Sequence, residues 1–566
     1  MNVADRRSGL ATLLVCVGCL AYFETRVFGF SGTPVTPIFQ LLLTVYDYQT
    51  AYVMVAVCLL ALLWRRPAPI SRIVDALGRH PVRAALAGAT LLAVAAAYVY
   101  QRYPLSMDEY SAVFQAQVFA SGHVVARLPP SVVDWLIPPG FNGSFLYASR
   151  ETGRTIEQYL PGFALLLAPF EFLGVPWLCN PLLAALAIYL IHAITLEVTG
   201  ERRAAGWAVL FACCSSVFWA NAISYYAMQA HLTFNLLYAW LLLKPSISRA
   251  LAAGVVGSTA LILHNPVSHA LFAAPWILHM ALAKEQRRFL PPLVLGYLPI
   301  AAGIGVAWIF LRTTIAGTAT AADVMAVTAN AILRWPNLAI LDLRLGALVK
   351  MWIWAVPGLY LAAFLGRIRR ADDPRVRLLA RSAVLTFCGY LFVTLDQGHG
   401  WGYRYFHGAF GVIPILAGCA MTSRSGPQEK LASFAGAAAV LSLLILVPFQ
   451  MSQIHGFIAR HLTLVPPPRR PGNNVYFIQP DRGFYIADMI QCDPRLRSPD
   501  LLLNSRGRAL DAELIRQNWP HAVKLRVGVG VEQWYLGPVD QRRATPGQPG
   551  GPHFVLAFTP PAVPAR

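Results

Sequence analysis

Residues 84–114 read AALAGATLLAVAAAYVYQRYPLSMDEYSAVF: an apolar run free of charge, a short polar break, then two adjacent carboxylates, Asp108 and Glu109. An uncharged run of about 17–25 residues is what a helix needs to cross the hydrocarbon core of a bilayer. The chain has 27 acidic residues against 46 basic ones among 566, so an acid couplet at the mouth of a span calls for a reason.

Working outward, the chain is 56% hydrophobic and 13% charged, where a soluble domain carries roughly 25% charged residues. This excludes an ordinary soluble protein and predicts a polytopic α-helical membrane protein. A net charge of +19 would suggest nucleic acid in a soluble chain; here basic loops on one side of a bilayer account for it, and no nucleic-acid partner is expected. Of the nine cysteines, Cys16, Cys19, Cys58, Cys179, Cys213, Cys214, Cys388 and Cys419 lie in or beside apolar runs, and Cys492 stands alone in the polar tail. Their spacing gives neither a metal site nor a disulfide framework.

The apolar runs number about thirteen, which places the termini on opposite sides of the membrane. With the N-terminus cytoplasmic, the inner loops hold Arg6/Arg7, Arg65/Arg66, Arg202/Arg203, Lys284/Arg287/Arg288 and the basic run from Arg367 to Arg381, while the longer outer loops are poorer in charge. Basic residues are retained in this way because translocating them is unfavourable. The expectation is a multi-pass protein of the cell (inner) membrane. Residues 1–82 contribute two additional spans, 83–450 a transmembrane catalytic domain whose first outer loop is 102–175, and 451–566 a small extracytoplasmic α/β domain. In that tail VYFIQ, LLLN, AVKLRVGV and HFVLAF read as strands and 510–518 as a helix.

The acid couplet then faces outward, at the start of a short amphipathic helix. Tyr110, Val113, Phe114 and Val118 share one face, Gly122 supplies a stop, and the helix is expected to lie along the membrane surface. Asp108 reads equally well as an N-cap or as a catalytic group. Downstream, GFNGSFLYASRETGRTIEQYLPGFALLLAPF (140–170) reads as a strand pair turning near Glu151–Gly153.

With these pieces in order, the chain resembles the glycosyltransferase C superfamily, in particular the branch containing protein O-mannosyltransferases and the lipid A aminoarabinose transferase. The resemblance is carried by MDE after a long span, YLPGFALLL closing the first outer loop, VPWLCNPLLAALAIYL opening the next span, and NAISYYAMQAHLTF among the short outer loops, over roughly residues 83–450. Two features depart from the plainest pattern: the extra spans before residue 83, and HNPVSH (264–269) where many relatives have a basic residue before proline. The resemblance implies transfer of a sugar from a polyprenyl-phosphate-linked donor to a lipid, polysaccharide or protein acceptor at the bilayer surface. It also implies that Asp108 is the base, with Glu109 orienting it, binding the acceptor or binding a divalent cation (Mg or Mn).

A leaving phosphate calls for cations or donors. DQGHGWGYRYFHG (396–408) offers Arg404, which grips phosphate in two-pronged fashion or else snorkels to headgroups, together with Tyr403 and His399. His264 and His269 bracket Pro266 and read either as phosphate contacts or as histidines satisfying carbonyls freed by the proline. Glu157, Tyr159, Tyr225, Tyr226 and His231 are substrate-binding candidates, although interface tyrosines are common belt residues. Asp396 and Asp323 are weaker ones. The competing reading, a transporter, a flippase or a non-catalytic partner in cell-envelope glycan assembly, would lean on mid-span acids, of which Asp47 and Glu197 come nearest.

Overall fold

The computed structural model describes residues 3–28, 35–64, 68–317, 333–396, 398–421, 429–527 and 530–538. Asp323 and the HFVLAF segment therefore lie outside the described residues. Among the described residues six helices are long and apolar enough to cross a membrane: Arg7–Val27, Pro37–Leu63, Pro81–Tyr98, Pro176–Thr199, Arg287–Ala316 and Ser433–Leu462. The run near 204–220 breaks between Arg202–Cys213 and Ser216–Ile223 with a 64° bend, and Ile247–Ile262 and Val267–Leu282 are shorter apolar helices. A helix of sixteen residues extends only about 24 Å, short of the roughly 30 Å core. Long apolar helices are thus fewer than the apolar runs.

The chain separates into two compact units, each assembled from several stretches of sequence. One unit comprises Met1–Arg102, Trp177–Val306 and Met325–His455; the other comprises Tyr103–Pro176, Ala307–Val324 and Gly456–Arg566. The first is a helical assembly held by close crossings. A Cβ added at Gly254 would lie 2.2 Å from the Leu293 carbonyl oxygen, so the backbones touch where a larger residue would force them apart. Wider π-turns interrupt three of its helices, at Leu42–Asp47, Pro299–Val306 and Ser442–Leu446.

Among its described residues the second unit contains two sheets. Strands β1 (Ala126–Arg127), β2 (Leu146–Ala148) and β3 (Arg154–Glu157) form an antiparallel sheet in the order β1-β3-β2, with Leu146 opposite Glu157. The predicted strand pair and its turn are present. Gly153 sits at φ +67 against the Leu128 carbonyl, where no side chain fits. Strands β4 (Asn473–Ile478), β5 (Asp500–Asn504), β6 (Val523–Val527) and β7 (Val531–Gly537) pair in the order β5-β4-β7-β6, with helix Arg508–Asn518 between β5 and β6. Only β4 and β5 run parallel.

One expectation is corrected here. The amphipathic helix, Met107–Ala120, does not present an apolar face to a surface. Met107, Tyr110, Phe114 and Val118 are buried in one core with Val475, Phe477, Leu501, Leu503, Leu514 and Ile515 of the C-terminal sheet and its helix. An apolar stripe records only that something covers it, and here the cover is the unit's own tail. The helix does stop at Ala120, and Gly122 follows at φ +80, as expected.

Candidate active site

The two neighbouring acids meet opposite fates. Ser106 is the N-cap of Met107–Ala120, which puts Glu109 at the third helical position. From there its carboxylate accepts from the Leu105 and Ser106 backbone N–H groups at 3.0 and 3.2 Å, the reciprocal half of a capping box. Glu109 is wholly buried in this task. Expected as a second member of a catalytic pair, Glu109 here serves the helix start as an acceptor for two backbone amides. Asp108, one position earlier, is not the cap either. Its carboxylate stays partly exposed and accepts a hydrogen bond from the Tyr159 hydroxyl.

Tyr159 is held in place by its own backbone. Trp308 Nε1 donates to the Tyr159 carbonyl at 2.8 Å, and Arg312 donates to the Gln158 carbonyl at 2.6 Å while its guanidinium lies over the Tyr147 ring. β3 delivers Glu157 two residues earlier. Glu157 is buried, its N–H donates to Gln115 Oε1 at 3.1 Å, and its Oε2 has no hydrogen-bond partner among the described residues. Burial pushes its carboxyl up to about 8, with the Ser111 hydroxyl pulling weakly the other way. Neither Arg150 nor Arg154 pairs with it; Arg150 bonds Asp134 at 2.7 Å.

In the helical unit Arg404 begins helix Arg404–Phe410. It is buried, and its guanidinium lies 4.1 Å from the centre of the Tyr226 ring. The chain before it is fastened by two cations that sequence reasoning passed over. Arg344 donates from Nε to the Tyr390 carbonyl (2.9 Å) and from Nη2 to the Val393 and Leu395 carbonyls (2.7 and 3.1 Å). Lys350 donates to the His399 carbonyl at 3.0 Å and forms a buried ion pair with Asp47 at 2.6 Å, whose other oxygen accepts from Trp354 at 2.7 Å. Both cations interrupt the apolar stretch LAILDLRLGALVKMWI (338–353), and that was the available signal, because a charge inside an apolar helix is expensive unless it is partnered.

The remaining candidates divide. His399 is buried, with Nε2 at 3.1 Å from the Leu343 carbonyl oxygen; burial, aided by the nearby Lys350 and Arg344 charges, pushes its imidazole down to about 3. It therefore carries no positive charge to offer. Tyr403 is buried beneath the Arg344 guanidinium. His269 uses both ring nitrogens inside the bundle, at 2.7 Å from Asn235 Oδ1 and 2.7 Å from the Tyr297 hydroxyl. His264 stays half-buried at the other side of Pro266. Tyr225 donates its hydroxyl to the Arg102 carbonyl at 2.8 Å and so braces the end of a span. His231 is fully buried, and neither ring nitrogen has a hydrogen-bond partner among the described residues. Asn180 holds the segment before it, donating to the Ser224 and Tyr226 carbonyls at 2.7 and 2.9 Å. Asp396 accepts from the Thr36 N–H at 2.5 Å. Among the described residues no group of three or more His, Cys, Asp or Glu side chains is arranged to hold a metal ion.

No family model matches the chain, and no curated protein matches it. Among solved structures it is similar to the crystal structure of ArnT from Cupriavidus metallidurans bound to undecaprenyl phosphate, at 13% identity and a TM-score of 0.49 over 79% of this chain and 97% of that one. It is also similar to the same protein in the apo state, at 13% identity and a TM-score of 0.45 over 80% of this chain and 98% of the other.

Proposed function

We propose that the chain is an integral membrane glycosyltransferase that moves a sugar from a polyprenyl-phosphate carrier to an acceptor hydroxyl at the extracytoplasmic face, with the N-terminus cytoplasmic. The observation that carries this reading is the separation of the couplet. Glu109 satisfies the helix start, which leaves Asp108 partly exposed and oriented by the Tyr159 hydroxyl.

The chemistry asks for little more on the acceptor side. A carboxylate takes the proton from the acceptor hydroxyl as its oxygen attacks the anomeric carbon. The bond to the carrier phosphate breaks on the opposite face, so a single displacement inverts the configuration. Tyr159 fixes which way the base points, a matter of geometry to which general-base steps are sensitive. On the donor side, charge that develops on the leaving phosphate is stabilised by a guanidinium, and Arg404 is our candidate. No step is assigned to a divalent cation. Of the two acids that come nearest to mid-span, Asp47 is paired with Lys350 at 2.6 Å, and Glu197, close to the end of its helix, with Lys244 at 2.8 Å, which leaves the transporter alternative little to lean on.

The test is release of polyprenyl phosphate by purified protein supplied with a polyprenyl-phosphate sugar. Asp108→Asn should lower turnover by about 10²- to 10⁴-fold, the range for loss of a general base, and leave donor titration unchanged. Wild-type turnover in that variant would remove Asp108 from the reaction.

A further inference from the structure

The part played by the C-terminal domain is not legible in its strands, but it can be followed through one short segment, YIADMIQC (485–492). Its residues meet the start of the acid-bearing helix at several points. Asp488 Oδ1 accepts from the Met107 N–H at 2.7 Å, and Gln491 donates to the Pro104 carbonyl at 2.7 Å. The Tyr110 hydroxyl donates to the Cys492 carbonyl and accepts from the Cys492 N–H at 2.8 Å. The Tyr103 hydroxyl reaches Met489 Sδ at 3.9 Å.

The Met107 N–H is one of the first four amides of a helix, which have no partner inside it and are ordinarily satisfied by a local cap or by water. Here the partner is a buried carboxylate 381 residues away in the chain. Asp488 also hydrogen-bonds the Tyr485 side chain, and Tyr485 itself sits at φ +62, a left-handed conformation that a bulky residue adopts only under constraint. The segment thus accepts backbone strain at the residue that steadies Asp488.

We infer that Asp488 is a positioning residue for the transfer reaction: by holding the first amide of the helix it fixes where the Asp108 carboxylate stands, which makes the tail domain part of the catalytic machinery. This rests on Asp108 being the base. Met107 and Asp108 are consecutive on one rigid turn, so a displacement of the first amide is a displacement of the carboxylate beside it, and about 1 Å of misplacement is enough to cost roughly 10²-fold in rate. Electrostatics adds a second link. Burial pushes the Asp488 carboxyl up to about 7, and the neighbouring Asp108 and Glu109 charges add to the rise. Tyr103 and Tyr485 face the same group, with His461 packed against both tyrosine rings.

Full-length protein in detergent or nanodiscs is assayed for polyprenyl phosphate release from a polyprenyl-phosphate sugar. Asp488→Ala should lower kcat by about 10²-fold with donor KM unchanged. Asp488→Asn keeps an oxygen acceptor for the Met107 N–H, so it should restore most of kcat, again with donor KM unchanged. Wild-type kcat in Asp488→Ala would overturn the inference. So would equal losses in both variants accompanied by a fallen Tm, which would mean that Asp488 only holds the fold. If Asp108→Asn is inactive while both Asp488 variants match the wild type, this inference fails and the assigned base stands; an active Asp108→Asn removes the base itself.

Discussion

Around Asp108 a charge stays in reach of solvent and is met by a neutral hydroxyl; around Arg344 and Lys350, in the other unit, charges are buried outright and met by backbone carbonyls. The contrast follows from what each group must do. A base has to exchange a proton, so its carboxylate cannot be fully occupied by fixed donors. A buried cation has already lost its hydration, and it is tolerable only when fixed oxygens replace water. Arg344 and Lys350 therefore tie down the carbonyls of Tyr390, Val393, Leu395 and His399, shortly before Arg404 in sequence. One region is arranged for chemistry and the other for rigidity.

The rigid region should break most dramatically. Lys350→Met leaves Asp47 buried beside Trp354 with its charge unanswered, and removing one partner of a buried pair typically costs about 3–5 kcal/mol. Thermal unfolding in detergent should show this as a large fall in Tm. The double variant Asp47→Leu/Lys350→Met should recover most of the loss, because an apolar pair of similar volume is commonly as stable as the ion pair it replaces. A single variant as stable as the wild type would mean that the pair does not hold this region.

The exposed region should break in rate and not in stability. Tyr159→Phe removes the hydroxyl that orients Asp108 and leaves the ring in place. A hydrogen bond to a charged group contributes about 1.5–3 kcal/mol, so the expected loss in kcat is about tenfold or more, with Tm little changed. Unchanged kcat would show that the base needs no orientation from Tyr159.

How much of this could be read from the chain depends on how local each signal is. The strand pair turning at Gly153 and the helix stop at Gly122 were legible, because turn chemistry is written within a few residues. The burial of Met107–Ala120 was not, because its cover, Val475 to Ile515, lies more than 350 residues along the chain, and periodicity does not name the partner of an apolar face. β7 was missed because Glu532 and Gln533 interrupt its apolar pattern; Gln533 nevertheless points inward and bonds Asn474 at 3.1 Å. Among the site residues, the couplet was visible as a couplet, but the division of labour within it needed the position of Ser106. Asp488 had no sequence signal at all, since it sits in a short 3₁₀ turn between strands.

The smallest expected effect is the one that best sharpens the comparison within the couplet. Glu109→Gln keeps a side-chain oxygen at the third helical position, and glutamine completes a capping box as glutamate does. The Leu105 and Ser106 amides keep their acceptor, and only the favourable placement of a negative charge at the helix N-terminus is lost, worth about 0.3–1 kcal/mol. Tm should fall slightly and turnover should stay within a few-fold of the wild type, set against the severe loss in Asp108→Asn. Both quantities come from one preparation, by unfolding and by polyprenyl phosphate release. Should Glu109→Gln prove as inactive as Asp108→Asn while remaining folded, the two acids would share the chemistry, and the assignment of Glu109 to the helix start alone would be wrong.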